Sequence, residues 1–292
     1  MGELSCRTKL VEATAEQLQK LFAQSAKDRL VRKVNDIYTL YEDTQKDWNQ
    51  TCYQILFRMM DVGVNKAAYM RLSTTVPYRY ILREHNSLLS IEALLLGGSG
   101  LLFRYPEDQY TSTLKEQWNH LATKYDITPM RATDWDMARV RPYNHPVLAQ
   151  LASLLHDKEF IVNRITDCRT IKDVEQLFST EASDYWKSHF IPAQQSENIP
   201  KRIGKAKSHL LGINLVVPLQ IAYSRNIGQQ SLQGNAVELF GTLPAEDNRY
   251  TRQWNHLGIV PHNAIESQAI IQIITEYCNK GRCSECPVQQ FL

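Results

Sequence analysis

Half of the six cysteines lie within nine residues near the C-terminus, with the spacing C-x4-C-x2-C: Cys278, Cys283 and Cys286. Two residues between thiolates allow both sulfur atoms to reach one ion, so a C-x2-C pair is typical of tetrahedral metal sites. Gly281 permits the turn between the cysteines, and Lys280 and Arg282 would help to keep the thiols deprotonated. Clustered cysteines in a reducing compartment indicate metal or redox chemistry more often than disulfides. The segment therefore predicts a metal site, with ordinary thiols, oxidised in pairs, as the alternative.

Zinc is the favoured metal, because a structural zinc site needs no assembly machinery, and an iron–sulfur cluster is the alternative. A closed site needs a fourth ligand. His262 lies at the opposite end of the last predicted helix, ~22 Å away at about 1.5 Å per residue. Cys6 and Cys168 lie outside the apolar stripes, and a metal bound to Cys6 would hold the two ends of the chain together. We expect Cys6, with a distant histidine, Cys168 or water as alternatives.

The densest run of basic residues precedes a predicted central helix and contains Lys201, Arg202, Lys205 and Lys207. Such a run can contact a phosphate backbone, which makes DNA or RNA a candidate partner. The alternative is a solvated helix start. Basic residues there oppose the helix dipole and are mildly unfavourable for stability, which strengthens the functional interpretation.

A second pair of basic residues, Arg139 and Arg141, alternates along a segment expected to be extended, since Arg141 precedes a proline. Two arginines on one side of a loop could bind an anion. They could equally cap helix carbonyls or pair with Asp134 and Asp136, and this structural role is favoured.

Apolar residues recur at helical spacing along most of the chain, and strand-like alternation is almost absent. Thr14 and Gln17 form a capping box before a long helix, and Asn263 precedes the last one. The segment 97–100 (Gly-Gly-Ser-Gly) predicts a helix end and linker, and the helix from Ser208 to Tyr223 is expected to bend at Pro218. The predicted fold is all-α, a multi-helical orthogonal bundle with a C-terminal cysteine metal-binding tail. Residues 1–192 and 201–292 are the predicted lobes, or parts of one continuous domain.

The composition is that of an ordinary soluble protein, with 43% hydrophobic and 22% charged residues and a net charge of +2. No apolar run reaches the ~18 residues of a membrane-spanning helix, and the N-terminus lacks the pattern of a secretory signal. We therefore expect a cytoplasmic protein. No serine–histidine–acid, paired-carboxylate or HExxH arrangement is present, which weighs against a self-contained enzyme.

Several segments, in order along the chain, resemble a bacterial family of uncharacterised proteins, the domain-of-unknown-function family numbered 2851. They include Asp47-Trp48-Asn49, Ile91-Glu92-Ala93-Leu94-Leu95, Arg139-Val140-Arg141-Pro142, Val216-Val217-Pro218-Leu219, Leu243-Pro244-Ala245-Glu246, Ser267-Gln268-Ala269 and Glu276-Tyr277-Cys278. The resemblance implies that longer members carry a strand-rich amino-terminal region similar to nuclease folds, and that this chain corresponds to the helical part. The family pattern also places a cysteine before the long helix, matching Cys6.

A more local likeness is to the iron–sulfur base-excision glycosylases, which also end helical domains in closely spaced cysteines. Their first interval is longer and a fourth cysteine follows the last pair, which this chain lacks. The leading hypothesis is a metal-stabilised helical module that binds nucleic acid as part of a nuclease-like system. The alternatives are a DNA-processing enzyme with an iron–sulfur tail and a protein-interaction scaffold.

Overall fold

The computed structural model describes residues 6–61, 63–136 and 144–291, and most of them are helical. The helices are α1 (Arg7–Glu12), α2 (Ala15–Asp43), α3 (Trp48–Met60), α4 (Lys66–Thr75), α5 (Tyr78–Arg83), α6 (Leu88–Gly98), α7 (Gln109–Tyr125), α8 (Asn144–Asp157), α9 (Ile161–Asp167), α10 (Ile171–Phe178), α11 (Asp184–Lys187), α12 (Lys205–Leu211), α13 (Val217–Ile227), α14 (Gln230–Thr242), α15 (Arg249–Asn255), α16 (Ala264–Glu276) and α17 (Pro287–Phe291). A hairpin of β1 (His189–Ile191) and β2 (Gln194–Gln195) is the only sheet in these ranges. The predicted all-α class is confirmed.

The chain divides into two compact units. The first unit contains the chain up to Leu40, the short segment Arg169–Ile171 and the chain from Gly212 onward, and the second contains Tyr41–Cys168 and Lys172–Leu211. This division differs from the predicted lobes 1–192 and 201–292, because the first unit takes residues from both ends of the chain.

Local capping groups determine where several helices begin. The backbone N–H of Thr14 donates to Gln17 Oε1 (2.9 Å) and that of Gln17 donates to Thr14 Oγ1 (3.3 Å), which confirms the predicted capping box of α2. Asp47 accepts from the first backbone N–H groups of α3. Asn263 accepts from the N–H of Glu266 and so begins α16, as the sequence predicts.

The core of the second unit forms where α6 packs against α7 and α8. Gly97 and Gly98 lie inside α6, where they are buried, so the expected linker is wrong for these two residues. A Cβ at Gly97 would overlap the indole of Trp118, which shows that glycine allows the two helices to approach closely. The chain turns only at Gly100, which has a φ of 75°.

A π-helical segment, Gly212–Val216, lies between α12 and α13. Pro218 has no backbone N–H, so the carbonyl of residue 214 cannot receive the usual bond from it, and the wider π turn accommodates this loss. The sequence predicts a bend caused by Pro218, and the structure contains this π segment, which ends two residues before the proline. None of the helices in the described ranges has both the length and the apolar character needed to cross a membrane.

Candidate functional site

The two ends of the chain meet within the first unit. Lys9 in α1 donates to the side chain of Gln289 in α17 (Nζ to Oε1, 2.8 Å). Leu10 and Val288, from the same two helices, are almost completely buried. Cys6 lies directly before α1 and Cys286 directly before α17, so the packing of these helices brings the N-terminal cysteine to the C-terminal tail.

Short 3₁₀ turns carry the tail cysteines. Cys278 begins the turn that follows α16, Cys283 begins the next turn, and Cys286 ends it and is 5% exposed. Gly281 separates the two turns with a φ of 66°, a conformation that glycine adopts without strain. The sequence prediction that Gly281 permits this turn is confirmed.

The electrostatic coupling of the thiols shows that all four cysteines lie near one another. Burial raises the pKa of Cys278 to about 11, and the charges of three other cysteines add to the effect, in the order Cys286, Cys6, Cys283. Burial also raises the pKa of Cys286, with contributions from Cys6 and Cys283. The pKa of Cys6 is raised by burial and by Cys283, against its own backbone and Lys9, which lower it. Four negative thiolates at this place would repel one another, and a divalent cation would relieve that repulsion.

The donor chemistry of this cluster fits zinc, since four thiolates are a common structural donor set. The geometry is not that of a formed site: no three His, Cys, Asp or Glu side chains in the described part of the chain are placed to hold a metal ion. The described cysteines form no disulfide. The metal site therefore stays a prediction.

The basic residues beside the tail cysteines bind carboxylates. Lys280 Nζ lies 2.6 Å from Glu276 Oε2, and Arg282 Nη2 lies 2.5 Å from Glu285 Oε2. The expected lowering of the thiol pKa by these residues is wrong for Cys278, whose pKa is raised because burial and neighbouring thiols dominate.

The alternative fourth ligands, His262 and Cys168, have these surroundings. His262 precedes α16 and Cys278 follows it, so the two residues are at opposite ends of that helix, as expected from the sequence. Cys168 belongs to the second unit, where its thiol donates to the carbonyl of Arg164 (3.4 Å).

Two of the four lysines and arginines of the basic run are bound inside the second unit. Lys201 is 6% exposed, and its Nζ donates to the carbonyls of Lys187 (3.0 Å) and Ile199 (2.8 Å). Lys207 donates to carbonyls at the end of α3, including that of Met60 (3.0 Å), and burial lowers its pKa. These two ammonium groups bind backbone carbonyls, which for Lys207 are carbonyls at the C-terminal end of a helix.

The other two members of the run point outward. The side chain of Arg202 is 61% exposed and lies 3.6 Å from Glu181, and that of Lys205 is 78% exposed and lies 3.1 Å from Glu175. Such exposed pairs contribute little to stability, so both cations can exchange their partner for a phosphate. Arg139 and Arg141 lie outside the described residues.

A polar network in the first unit has no counterpart in the sequence prediction. Gln268, completely buried in α16, accepts from Arg29 Nε (2.7 Å) and Lys33 Nζ (2.6 Å) and donates to Glu246 Oε2 (2.6 Å). Lys33 also donates to Asn214 in the π segment (2.7 Å). Burial lowers the pKa of Arg29 to about 10. The available signal was the pair Gln268 and Gln272, four residues apart within the isoleucine-rich part of the helix.

A second buried polar cluster lies in the second unit. The carboxyl of Glu92, in the apolar helix α6, accepts a hydrogen bond from the hydroxyl of Tyr110, which also lies 3.1 Å from Ser183 Oγ. Burial raises the pKa of Glu92 because its charged form is poorly solvated, although Tyr110, Ser183 and Trp186 favour the carboxylate. His145 is also buried in this unit, and burial lowers its pKa to about 4.

Comparison with known proteins identifies one family. The family model described as Protein of unknown function (DUF2851) matches residues 2–249, which is most of the chain. The match includes Cys6 and the basic run and ends before α16 and the tail cysteines. No curated protein and no solved structure matches the chain.

Proposed function

The chain belongs to the DUF2851 family, and we propose that it is a helical binding module whose chain ends are joined by a metal ion bound to Cys6, Cys278, Cys283 and Cys286. The observation that carries the proposal is the contact between α1 and α17, which brings Cys6 to the tail cysteines across more than 270 residues of sequence, and the charges of Cys6 and Cys283 contribute to the raised pKa of both Cys278 and Cys286. Zinc is the proposed ion, and an iron–sulfur cluster is the alternative.

The role of the metal follows from the two helices that it would connect. α1 and α17 have six and five residues, too few to be stable alone, and each depends on packing against the rest of the first unit. A bound metal stabilises the folded state by its binding free energy, since the unfolded chain has no preformed site. We expect the metal to hold these short helices in place.

Metal analysis of the purified chain tests the proposal. We expect about one zinc ion per chain in the wild type and less in Cys6→Ser and in Cys283→Ser. Cys168→Ser is the matched control, because the Cys168 thiol is buried and donates to the carbonyl of Arg164, and it should retain the metal. A chelator should lower the melting temperature of the wild type more than that of Cys283→Ser.

Three results would contradict the proposal: a wild-type protein without metal, full metal content in Cys6→Ser, or loss of metal in Cys168→Ser. A brown protein with iron and labile sulfide would favour the iron–sulfur alternative.

Nucleic-acid binding is the second candidate function, supported by the outward position of Arg202 and Lys205. Both line a surface depression together with Lys172, and their carboxylate partners are at the surface. We expect salt-dependent binding of DNA or RNA. The variant Arg202→Gln/Lys205→Gln should bind more weakly. Its plot of log binding constant against log salt concentration should be shallower by about one unit of slope for each phosphate that the variant no longer neutralises. Lys20→Gln/Lys46→Gln, which removes two exposed lysines of α2 and the turn after it, is the charge-matched control. Equal binding by both double variants would contradict this role.

A further inference from the structure

A groove in the first unit combines an apolar floor with two cations at its rim. It lies along α2 and is closed by α13, α14 and α16, with a volume of about 380 Å³. Its floor includes Leu30, Val34, Ile221 and Phe240. Val31 and Val237, which also line it, are 38% and 48% exposed, so apolar surface faces the solvent here. We call this feature the α2 groove.

The two cations of the α2 groove are Lys27 in α2 and Arg225 in α13. Both side chains are exposed, and among the described residues neither has a hydrogen-bond or ion-pair partner. They differ in this from Arg29 and Lys33, which are bound to Gln268. Two unpaired cations beside apolar surface favour a ligand that has an anionic group next to an apolar body.

The apolar surface continues beyond the α2 groove in one direction. A neighbouring depression of about 590 Å³ shares Ala23 and Ile265 with it and is lined by earlier residues of α2, including Leu18 and Phe22. That depression contains the carboxylate of Glu266, which would repel an anion. Of the two depressions, only the α2 groove is lined by lysine or arginine, and an elongated ligand would place its anionic group at Lys27 and its apolar chain along Leu30 and Val34, away from Glu266.

We propose that the α2 groove binds a single-chain alkyl carboxylate, with its carboxylate at Lys27 and Arg225. The volume lies within the range of about 300–1,000 Å³ that is usual for small-molecule sites. An acidic amphipathic helix is a poorer fit, because it presents several carboxylates along its length whereas the residues that line the groove include two cations. The proposal is independent of the metal, since it uses none of the cysteines.

Dodecanoate, below its micellar concentration, is the probe, and titration calorimetry of the full chain is the measurement. We expect one saturable site per chain. Dodecyltrimethylammonium, with the same alkyl chain and the opposite charge, should not bind saturably. Methyl resonances of Val31, Val34 and Val237 should shift during the dodecanoate titration, which locates the ligand in the groove.

Two variants test the contributions of charge and shape. Lys27→Gln/Arg225→Gln should weaken dodecanoate binding about tenfold, while Lys20→Gln/Arg249→Gln, which removes the same two charges away from the groove, should leave it unchanged. Val237→Trp fills the α2 groove at an exposed position. It should weaken the binding of dodecanoate although both cations remain.

The proposal is overturned if dodecanoate shows no saturable binding, if the cationic amphiphile binds equally well, or if Lys27→Gln/Arg225→Gln binds as the wild type does. It is also overturned if an acidic amphipathic helical peptide shifts the same valine resonances and dodecanoate does not displace it.

Discussion

Replacing Gln268 by alanine is expected to be one of the most destabilising single changes in the first unit. The side chain is fully buried and makes three hydrogen bonds, each to a charged group: Arg29, Lys33 and Glu246. A hydrogen bond to a charged group contributes about 1.5–3 kcal/mol. Lys33 keeps its bond to Asn214, and water can reach the half-buried charged groups, so we expect a net loss of about 3–5 kcal/mol in the free energy of unfolding.

Gln272 provides the matched control, one turn further along α16. It accepts a single bond, from Arg32 (2.8 Å), and Arg32 also pairs with Glu276. Gln272→Ala should therefore cost only about 1–2 kcal/mol. Urea unfolding followed by far-UV circular dichroism measures both variants, and equal m-values show that the same amount of surface is exposed. A Gln268→Ala variant no less stable than Gln272→Ala would refute the argument that Gln268 connects the three charged groups.

Two further predictions concern the second unit. Gly97→Ala should lower the free energy of unfolding by about 1–3 kcal/mol, because the new Cβ would lie 2.5 Å from Trp118 Cγ. Gly234→Ala is the control in α14, where a new Cβ would have no heavy atom within 4 Å, and it should raise the free energy of unfolding by about 0.5–1 kcal/mol. A Gly97→Ala variant more stable than the wild type would contradict the close packing of Gly97 against Trp118. Burial raises the pKa of Glu92 above its ordinary value of 4.5. The contribution of the Glu92 side chain to stability is therefore fully present below pH 4.5 and is lost as the pH rises through the folded-state pKa. Between pH 4 and 8 the free energy of unfolding of Glu92→Gln should rise relative to wild type, and a constant difference would contradict the raised pKa.

The three proposed roles differ in how many of their residues lie inside the family match. The DUF2851 match includes Cys6 but none of the tail cysteines. It also includes the outward-facing Arg202 and Lys205, and the residues of the α2 groove that belong to α2, α13 and α14. Metal binding therefore requires residues on both sides of the end of the match. The groove proposal depends almost entirely on residues within it.

The features that sequence predicts correctly are those determined by neighbours in the chain. The capping box of Thr14 and Gln17, the N-cap Asn263 and the positive φ of Gly281 each depend on residues within one turn. Their hydrogen bonds and steric preferences are nearly the same in any protein. The all-α class follows from apolar periodicity, which is also a local property.

The features that sequence cannot supply depend on contacts between distant residues. The basic run is the clearest example: four neighbouring cations have the same local pattern, yet Lys201 and Lys207 are bound to backbone carbonyls while Arg202 and Lys205 are at the surface. Gly97 and Gly98 have the composition of a linker, and the approach of Trp118 makes them part of a packed helix.

The sequence by itself determined that the chain is helical, that Cys278, Cys283 and Cys286 share one short segment, and where several helices begin. Only the tertiary structure decided that Cys6 lies near those cysteines, that Gln268 connects three charged groups, and that Lys27 and Arg225 lie beside an apolar groove without a partner among the described residues. The physical reason is the range of the interactions. Turns and caps are satisfied within a few residues, whereas burial and charge pairing depend on which distant helices pack together.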